Sequence, residues 1–591
     1  MFRTAEAPLI ASAIALALVA LACSLPVISA TWRRAAAVAI GTLGAAGPLI
    51  AYAARGASPA TTGRALWEWT AVGGPTIKAA YAFDGLAAIG IALVVAFGSA
   101  GLLAVTRAST RRPLLPGLVL AIGLVGIALH VTTDLIASIV LLGVIAALTA
   151  FVMLLVAPAP ASARLATFLA IGIQAFVVAA LLVSRFGASS FRFDEIRPIW
   201  ISPGVVLAAS AGAALFAGLY PFVPWRFERG EVSDTEREPL RGLLAMPVGI
   251  AGSLVLLRLL GTTRIALDTL ALPELDPLLR SAVVVAIVVA TALRATRGRS
   301  RGLIAVGALT AIAALAYPAL HWSHVVLACA LVTVLYASAV SLSSPDDWSV
   351  VRHDVALAGL WIGFALGTPI AIASGLALLV AEAGGAMAER VWMPPHRVQI
   401  VLVATSVATV AAIGGMAVGV TAATDTLTQA LALLTVLALL ALELVHIGRR
   451  LSFAIVPTEL DVTAAAAAFL GTLLVVLLLA LPMHDTLDLV GRPVRDVGSW
   501  LAMPALITLA IVVVLIARSV RPFLPDLTPL GGRLTAVVTA LDPVPAAMSA
   551  FGVVAATSTR VSTLFALFER RGGVWLAMML IIGLLVWATR S

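Results

Sequence analysis

The chain has 591 residues, of which 61% are hydrophobic and 11% are charged, and its formal net charge is +9. This composition, with a mean hydropathy of +1.09, excludes an ordinary soluble globular domain. The arginines are dispersed in short segments between apolar stretches, so the positive charge indicates membrane topology rather than nucleic-acid binding.

Apolar windows of about twenty residues, the length that crosses a bilayer as a helix, recur along nearly the whole chain. Long apolar runs without alternating polar residues argue against a membrane β-barrel. We therefore predict an all-α polytopic integral membrane protein with about 16 or 17 transmembrane helices. The predicted spans are 7–30, 35–54, 82–105, 113–132, 134–157, 164–184, 203–224, 241–261, 277–294, 302–319, 323–343, 352–383, 398–419, 426–447, 461–482, 499–517 and 573–589.

The positions of the arginines predict the orientation of these spans. Arginines cluster after the odd-numbered spans in the first half, which places those loops in the cytoplasm and the N-terminus outside a bacterial cytoplasmic membrane. The alternation fails at Arg449 and Arg450. The first span could carry a signal-peptide cleavage site at Ile28-Ser29-Ala30, but its length favours a retained helix.

Prolines interrupt two predicted spans, at Pro221 and Pro224 and again at Pro369. Broken membrane helices often mark ion or substrate sites, whereas a plain proline kink explains the same pattern equally well. The chain divides into a helical domain over 1–517, a proline-rich lateral or interfacial segment over 518–572, and a terminal membrane helix over 573–591. A helix over 546–571 is expected to lie along the membrane surface.

Several motifs resemble one family of membrane proteins. They are Trp67-Glu68-Trp69 before Phe83-Asp84-Gly85-Leu86, Asp134-Leu135 at the start of a span, the proline break at Pro221 followed by a span ending Leu256-Leu257-Arg258, and the second break at Pro369. In this order they resemble the antiporter-like membrane subunits of respiratory complex I, membrane-bound hydrogenases and multisubunit cation/proton antiporters.

The chain departs from that family at the residues that carry protons. The resemblance places the family's membrane-embedded lysines and glutamates at Gly143, Leu219, Ile250 and Ser374, which are all uncharged here. The chain has a single lysine, Lys78, and it lies outside every predicted span. A buried ionisable group costs on the order of 3 kcal/mol and is retained where it works, so these replacements predict that the usual proton relay has been lost.

Other polar side chains at membrane level remain candidates for a residual proton path: Asp84, His130, Asp134, Gln174, His321, His324, Glu443 and His446.

Each of these candidates also has a structural interpretation. Asp84 is expected to be architectural, and Gln174 to bond to a neighbouring helix. His130 and Asp134 would share a helix face if the helix continued, but a turn at Thr132-Thr133 makes them a loop pair.

Two histidine groups are expected at membrane interfaces. An aromatic belt around Trp322 explains His321 and His324 better than a proton site does. Glu443 and His446 are interpreted as an interfacial salt-bridged cluster, with a pH-sensitive pair as the alternative.

No catalytic residue, cofactor site or metal site is predicted, since Cys23 and Cys329 are far apart and form no metal-binding pattern. The resemblance implies a non-catalytic membrane subunit of a redox-driven complex, with other membrane subunits and peripheral redox subunits as partners. The alternative is an autonomous secondary transporter or cation/proton antiporter. A lipid-linked glycosyltransferase is disfavoured because the chain offers no large domain outside the membrane.

Overall fold

The computed structural model describes most of the chain up to residue 450. The described ranges are 7–24, 30–54, 65–70, 76–105, 114–156, 159–186, 190–220, 246–262, 320–343, 348–390, 395–423, 425–450, 508–514 and 528–540, with isolated positions at 188, 270, 272, 274, 277, 281, 285 and 516. The chain divides into two units, Met1–Val538 and Thr539–Ser591, and nearly all described residues belong to the first.

The described residues are predominantly helical. The helices are α1 Ala7–Ser24, α2 Ala30–Ala54, α3 Gly85–Val105, α4 Leu115–Val131, α5 Leu135–Val156, α6 Ala159–Arg185, α7 Pro203–Ala217, α8 Met246–Thr262, α9 Trp322–Ser343, α10 Trp348–Leu366, α11 Pro369–Arg390, α12 Pro395–Thr421, α13 Thr426–Arg450 and α14 Thr528–Ala540, with a 3₁₀ turn at Pro198–Trp200. This confirms the predicted all-α membrane fold class.

The eight described helices of the first half match their predicted spans to within seven residues at each end. Within the described part, six helices are long and apolar enough to cross a membrane, and several shorter apolar helices accompany them. The expected spans 277–294, 302–319, 461–482 and 573–589, most of 499–517, and the surface helix over 546–571 lie outside the described residues. The total of 16 or 17 spans therefore stays a prediction.

Helix α3 lies at the centre of the bundle. Every residue of its apolar window Gly85–Leu103 is buried, and α3 packs against α1, α2, α4, α8 and α11. Small residues allow these close approaches, since a Cβ at Gly90 would lie 2.5 Å from the ring of His130 on α4. The helix has apolar residues on all its faces because other helices surround it.

A two-stranded antiparallel hairpin precedes α3 and was not predicted. Strand β1, Ala65–Thr70, pairs with β2, Thr76–Ala80, and Glu68 stands opposite Lys78 in the register. The alternation of Trp67, Glu68 and Trp69 is the strand signal in this segment. Isolated bridges join Tyr81 to Thr132, and Asp134 to Arg192, so extended chain covers this end of the bundle.

Helix α7 ends before the first pair of prolines. The side-chain oxygen of Ser202 accepts a hydrogen bond from the Val205 N–H at the N-terminus, and Gly218 ends the helix in a left-handed conformation with φ 65°. The predicted helix over 203–224 therefore stops at Ala217, because glycine tolerates that conformation. Pro221 and Pro224 lie outside the described residues.

The second predicted break is a reversal of chain direction. Residues 352–383 were predicted as one broken span, but they belong to two helices, α10 and α11, joined at Gly367 and Thr368. Gly367 has φ 61°, a conformation that favours glycine and turns the chain back. Pro369 is the first residue of α11, where its missing N–H costs no helical hydrogen bond. The single broken span is therefore wrong.

Contacts along the two helices establish that α10 and α11 are antiparallel. The contacting pairs lie at nearly equal distances in sequence from the turn: Gly363 with Ala371, Leu360 with Gly375, Gly359 with Leu378, and Arg352 with Glu382. Helix α12 packs antiparallel to α11 through Gly415 beside Ser374 and Gly419 beside Ala371.

The direction of α8 relative to α10 shows which helix ends lie at the same end of the described bundle. Trp361 Nε1 donates to Ser253 Oγ at 3.0 Å, and Leu357 packs on Gly249, so α8 and α10 run parallel. We call the end of the bundle that carries Asp84 and the Gly367 turn the Asp84 end. The opposite end, which carries the residues around Arg352, is the Arg352 end.

Helix α14 falls within the segment 518–572. Its residue Thr535 donates a hydrogen bond from Oγ1 to the carbonyl oxygen of Ala339 at 3.0 Å, and Leu534 packs near Tyr220 and Tyr336. This part of the segment therefore contacts α9. The division into domains at 517 and 572 stays a prediction.

Candidate functional site

A buried arginine joins three helices at the Asp84 end. Arg258 of α8 donates from Nη2 to both carboxylate oxygens of Asp84, at 2.8 and 3.0 Å, and from Nη1 to the carbonyl oxygen of Thr132 at 3.0 Å. Asp84 also accepts a hydrogen bond from the Ala87 N–H at 2.7 Å and so caps α3. This geometry supports the architectural role expected of Asp84 and supplies its partner.

His130 and Asp134 lie on either side of a turn. Helix α4 ends at Val131 and α5 begins at Leu135, so the predicted turn at Thr132-Thr133 is present and the two residues do not share one continuous helix. Asp134 is fully buried and accepts a hydrogen bond from the Ala137 N–H at 3.0 Å, which caps α5. Its position is that of a helix cap.

Gln174 does not face a neighbouring helix in the described part of the chain. Its side chain is exposed near the middle of the apolar stretch Leu165–Arg185, on the same face as Ile171, Val178 and Leu181. The expectation that Gln174 bonds to an adjacent helix of this chain is therefore not met by the described helices. An amide at this depth needs a polar partner, because hydrocarbon supplies none.

A hydrogen-bonded histidine links α9 to α13 at the Asp84 end. His324 Nε2 lies 2.6 Å from Asp425 Oδ2, and His324 Nδ1 accepts a hydrogen bond from the His321 N–H at 3.0 Å. Asp425 Oδ2 also accepts bonds from the Thr428 N–H and hydroxyl, at 2.8 and 2.9 Å. The hydrogen bond from His324, and after it that from the Thr428 backbone, lowers the pKa of the Asp425 carboxyl below its ordinary value of 3.8.

Trp322 does not belong to an aromatic belt. It is 2% exposed, and its Nε1 donates to Ser210 Oγ of α7 at 2.7 Å. The belt interpretation of His321 and His324 is therefore wrong. The indole enters the bundle because Ser210 satisfies its N–H among apolar neighbours.

Ionisable residues lie buried together at the Arg352 end. Arg352, His353 and Asp354 occupy the first turns of α10 with at most 2% of their surface exposed. Arg352 Nε and His353 Nδ1 lie 2.8 and 3.1 Å from Glu382 Oε1 on α11. The His353 ring also packs edge-on against Phe97 of α3, with centroids 6.3 Å apart. We call Arg352, His353, Asp354 and Glu382 the buried charge cluster.

A small polar cavity adjoins the buried charge cluster. Its volume is about 20 Å³, which is enough for a water. Its polar lining consists of Arg352 and Glu382 from the cluster, Thr405, Ser406 and Thr409 from α12, and Glu443 and His446 from α13. Glu443 and His446 are thus brought beside a buried ion pair, and His446 is 2% exposed.

The buried charge cluster lies about one turn inside the start of α10 and about two turns inside the end of α11. The helix rises by about 21 Å from Arg352 to Leu366, and α10 extends one further turn beyond Arg352 to Trp348. The sequence interpretation did not single out Arg352, His353, Asp354 or Glu382, although all four lie within its predicted span 352–383.

The four positions named as lost relay residues are occupied by uncharged side chains in the structure. Leu219, Ile250 and Ser374 are buried, and Gly143 is partly exposed. Ser374 packs against Gly415 of α12. Their correspondence to the family's relay positions stays a prediction.

The sequence interpretation missed Arg258 as a partner of Asp84, the buried charge cluster and Asp425. Three consecutive ionisable residues between Val351 and Val355 were a readable signal of the cluster. Asp425 before Thr426 was a readable helix cap, but its pairing with His324 spans 101 residues of sequence and has no local signature.

No family model and no curated protein matches the sequence. Among solved structures, the chain is similar to a chain of the Mrp complex from Dietzia sp. DQ12-45-1b, with 16% identity and a TM-score of 0.59. The similarity covers 94% of this chain and 60% of that one, so this chain spans about three fifths of the Mrp chain's length.

Two respiratory complexes contain further similar chains. In the membrane-bound sulfane sulfur reductase, an archaeal respiratory membrane complex, the match has 13% identity and a TM-score of 0.53 and covers 81% of this chain and 76% of that one. In respiratory complex I from Thermus thermophilus with bound NADH, it has 16% identity and a TM-score of 0.48 and covers 90% and 99%. At such low identities, the Mrp and sulfane sulfur reductase matches confirm the predicted resemblance at the level of the fold.

Proposed function

We propose that this chain, which has the fold of antiporter-like membrane subunits, is a multi-pass membrane subunit of a multisubunit complex and takes part in ion translocation through its buried charge cluster. The observation that carries the proposal is Glu382, held between Arg352 and His353 inside the helical bundle. Ionisable groups buried within membrane helices are rare and mark ion or proton paths by default.

The geometry of the cluster suits a proton-exchange site. Glu382 Oε1 contacts both a permanent cation, Arg352, and a titratable ring, His353. A proton arriving at His353 would change the charge balance around Glu382 without moving a helix. The adjoining cavity has room for a water beside Glu443 and His446, which extends the polar path toward α13.

This proposal revises the expectation of a membrane subunit that has lost its proton relay. The positions that the sequence resemblance assigns to the family's relay lysines and glutamates are uncharged, but an arginine–glutamate pair with histidine lies elsewhere in the bundle. Arg352 stays protonated at all physiological pH values, so Glu382, His353, Glu443 or His446 would carry the exchanging proton. A relay built this way differs from one in which a lysine itself gains and loses the proton.

The partners proposed are other membrane subunits and peripheral redox subunits. The exposed amide of Gln174 in the middle of an apolar face supports a partner helix there. One structural neighbour belongs to a complex described as respiratory, which supports placing electron transfer on partner subunits. The complex would lie in a bacterial cytoplasmic membrane with the N-terminus outside, as the arginine distribution predicts.

An autonomous secondary transporter or cation/proton antiporter is the second candidate. The observation that favours it is the buried cluster itself, since a coupled transporter needs an ionisable site inside its helical bundle. The two candidates differ in whether the chain works alone.

Affinity purification of the tagged chain in mild detergent, with identification of co-purifying proteins, tests the assignment as a subunit. Recovery in fixed ratio with membrane and redox subunits would support the redox complex, and recovery with membrane subunits alone would support a multisubunit antiporter. A functional chain purified as a monomer or homodimer would overturn the subunit assignment.

Glu382→Gln tests the ion path in membrane vesicles that contain the intact complex. The substitution keeps the shape of the side chain but removes its charge and its ability to exchange a proton, so we expect a pH-sensitive dye to report loss of ion-coupled proton movement. Glu68→Gln, the same exchange in exposed β1, is the matched control. Unchanged proton movement in Glu382→Gln would show that the cluster is structural.

A further inference from the structure

Three metal-binding side chains converge at the Asp84 end, away from the buried charge cluster. His321 and His324 stand at the start of α9, and Asp425 directly precedes α13. One potential ligand atom from each lies within 4.8 Å of the other two. From this convergence we propose that His321, His324 and Asp425 form a binding site for a divalent transition metal of the zinc class.

The donor set matches the chemistry of such a metal. Zinc takes imidazole nitrogen and carboxylate oxygen at about 2.0–2.2 Å in tetrahedral geometry. Two histidines and one aspartate supply three ligands and leave the fourth position for water or an exogenous ligand. Imidazole ligands favour zinc, copper and nickel over magnesium and calcium, which prefer sites made of oxygen atoms only.

The burial of the ring nitrogens favours a ligand at this place. His321 Nδ1 is buried and finds no hydrogen-bond partner among the described residues. His324 is 4% exposed as a side chain, whereas Asp425 is 34% exposed, which leaves a route from solvent to the carboxylate. The two histidine rings lie with their centroids 5.3 Å apart, close enough for side-chain rotation to bring both onto one ion.

Metal binding requires a defined rearrangement. Tetrahedral ligands at zinc distances are separated by about 3.3 Å, so a separation of up to 4.8 Å must contract. Coordination through His324 Nε2 moves that ring's proton to Nδ1, so the bond from the His321 N–H is exchanged for a metal–nitrogen bond. Asp425 can keep its bonds from Thr428 through Oδ2 and offer Oδ1 to the metal.

The consequence of metal binding would be a clamp between two helices that are distant in sequence. The hydrogen bond between His324 and Asp425 already joins α9 to α13, and a shared ion would replace this single bond by three coordinate bonds. A ligand that binds only the folded form stabilises it by RT ln(1 + [L]/Kd), so the unfolding temperature rises with the concentration of free metal. The site is independent of the buried charge cluster and of the ion path.

Zinc titration of the purified full-length chain tests the proposal. We expect saturation at one equivalent, measured by calorimetry, together with a rise in unfolding temperature that magnesium does not reproduce. X-ray absorption of the zinc-loaded protein should show nitrogen and oxygen neighbours at about 2.0–2.2 Å and no sulfur shell, which would exclude binding by Cys23 or Cys329.

Two variants locate the site. His321→Ala removes one ligand while its backbone N–H remains, and Asp425→Asn keeps the shape of the cap, so both variants should fold. Each should raise the zinc dissociation constant at least about 10-fold. His396→Ala, at the opposite end of α12 from Asp425, should bind zinc as the unchanged protein does.

The outcomes that overturn the proposal are distinct. Absence of saturable zinc binding by the unchanged protein would exclude the site. Equal zinc binding by the unchanged protein and by both ligand variants would place the metal elsewhere, and an equal loss in His396→Ala would indicate non-specific binding to histidine.

Discussion

Arg258 shows how one charged residue can hold the ends of several membrane helices together. Its guanidinium bonds to both oxygens of Asp84 and to the carbonyl of Thr132, so it joins α8 to the start of α3 and the end of α4. Arginine suits this role because its planar group donates several bonds in fixed directions. The side chains of the pair are 7% and 19% exposed, so water offers little compensation if one partner is lost.

Removing one partner of this pair should destabilise the protein strongly. We expect Arg258→Met to cost about 3–5 kcal/mol, because Asp84 would be left as a partly buried charge without its partner. Unfolding temperature in detergent measures the effect. The double variant Asp84→Asn/Arg258→Met, which keeps a capping side chain and leaves no lone charge, should be more stable than the single variant. An unfolding temperature of Arg258→Met equal to that of the unchanged protein would show that the pair contributes little.

Asp425 gives a prediction about pH. Its pKa is lowered in the folded protein, so its stabilising contribution is complete above the ordinary value of 3.8 and is lost as pH falls through the lowered value. Asp425→Asn should therefore be less stable than the unchanged protein at pH 6, and the difference should shrink in acid. Unfolding temperatures between pH 6 and pH 3 measure this. A difference that stays constant with pH would contradict the assigned role of the carboxylate.

At the scale of elements, the α10–α11 hairpin positions the buried charge cluster. The turn at Gly367 aligns the two helices so that Arg352 and Glu382, thirty residues apart, stand side by side. Glycines at the helix contact let the backbones approach closely, and Gly363 faces the carbonyl of Ala371. The ion pair thus depends on the close packing of the hairpin.

Adding a methyl group at Gly363 should separate the two helices. A Cβ there would lie 2.6 Å from the Ala371 carbonyl oxygen, a backbone atom that cannot rotate away. We expect Gly363→Ala to cost about 1–3 kcal/mol and to weaken the function of the cluster. Gly117→Ala on α4, where no atom lies within 4 Å of the new methyl, is the control and should lose no stability in the same thermal assay. Equal behaviour of the two variants would contradict the observed packing.

The assembly of the whole molecule with partners depends on its outer surface, and there the exposed face of α6 carries the amide of Gln174 within an apolar stretch where lipid offers no hydrogen bond. Gln174 stands about nine residues, or roughly 14 Å, from the start of the stretch Leu165–Arg185. Its side chain is too short to reach either interface. A partner helix with a polar side chain or an accessible backbone carbonyl would satisfy the amide.

Replacing this amide should weaken assembly and leave the fold intact. Gln174→Leu removes an interhelical bond of about 0.6–2 kcal/mol, so less partner protein should co-purify in mild detergent. Ile171→Leu, an apolar exchange on the same face, should leave the partner yield unchanged. Full recovery of partners with Gln174→Leu would show that this face meets lipid or another segment of the chain.

The class of protein and most helix positions in the first half could be predicted from the amino-acid sequence alone. Hydrophobic stretches of sufficient length must form helices in a membrane, because the backbone has no other way to satisfy its polar groups there. The motif around Asp84 and the spacing of the spans also indicated the fold, which the solved structures confirm.

Only the tertiary structure decided which residues meet. A glycine and a proline at positions 367 and 369 are compatible with either a kinked helix or a reversal of the chain. The reversal that the structure shows brings Arg352 beside Glu382. The pairing of His324 with Asp425 likewise follows from the packing of α9 against α13. The length and apolar composition that let a segment cross a membrane are local properties of the sequence. Contacts between distant residues depend instead on how the helices pack, and no single stretch of sequence encodes this packing.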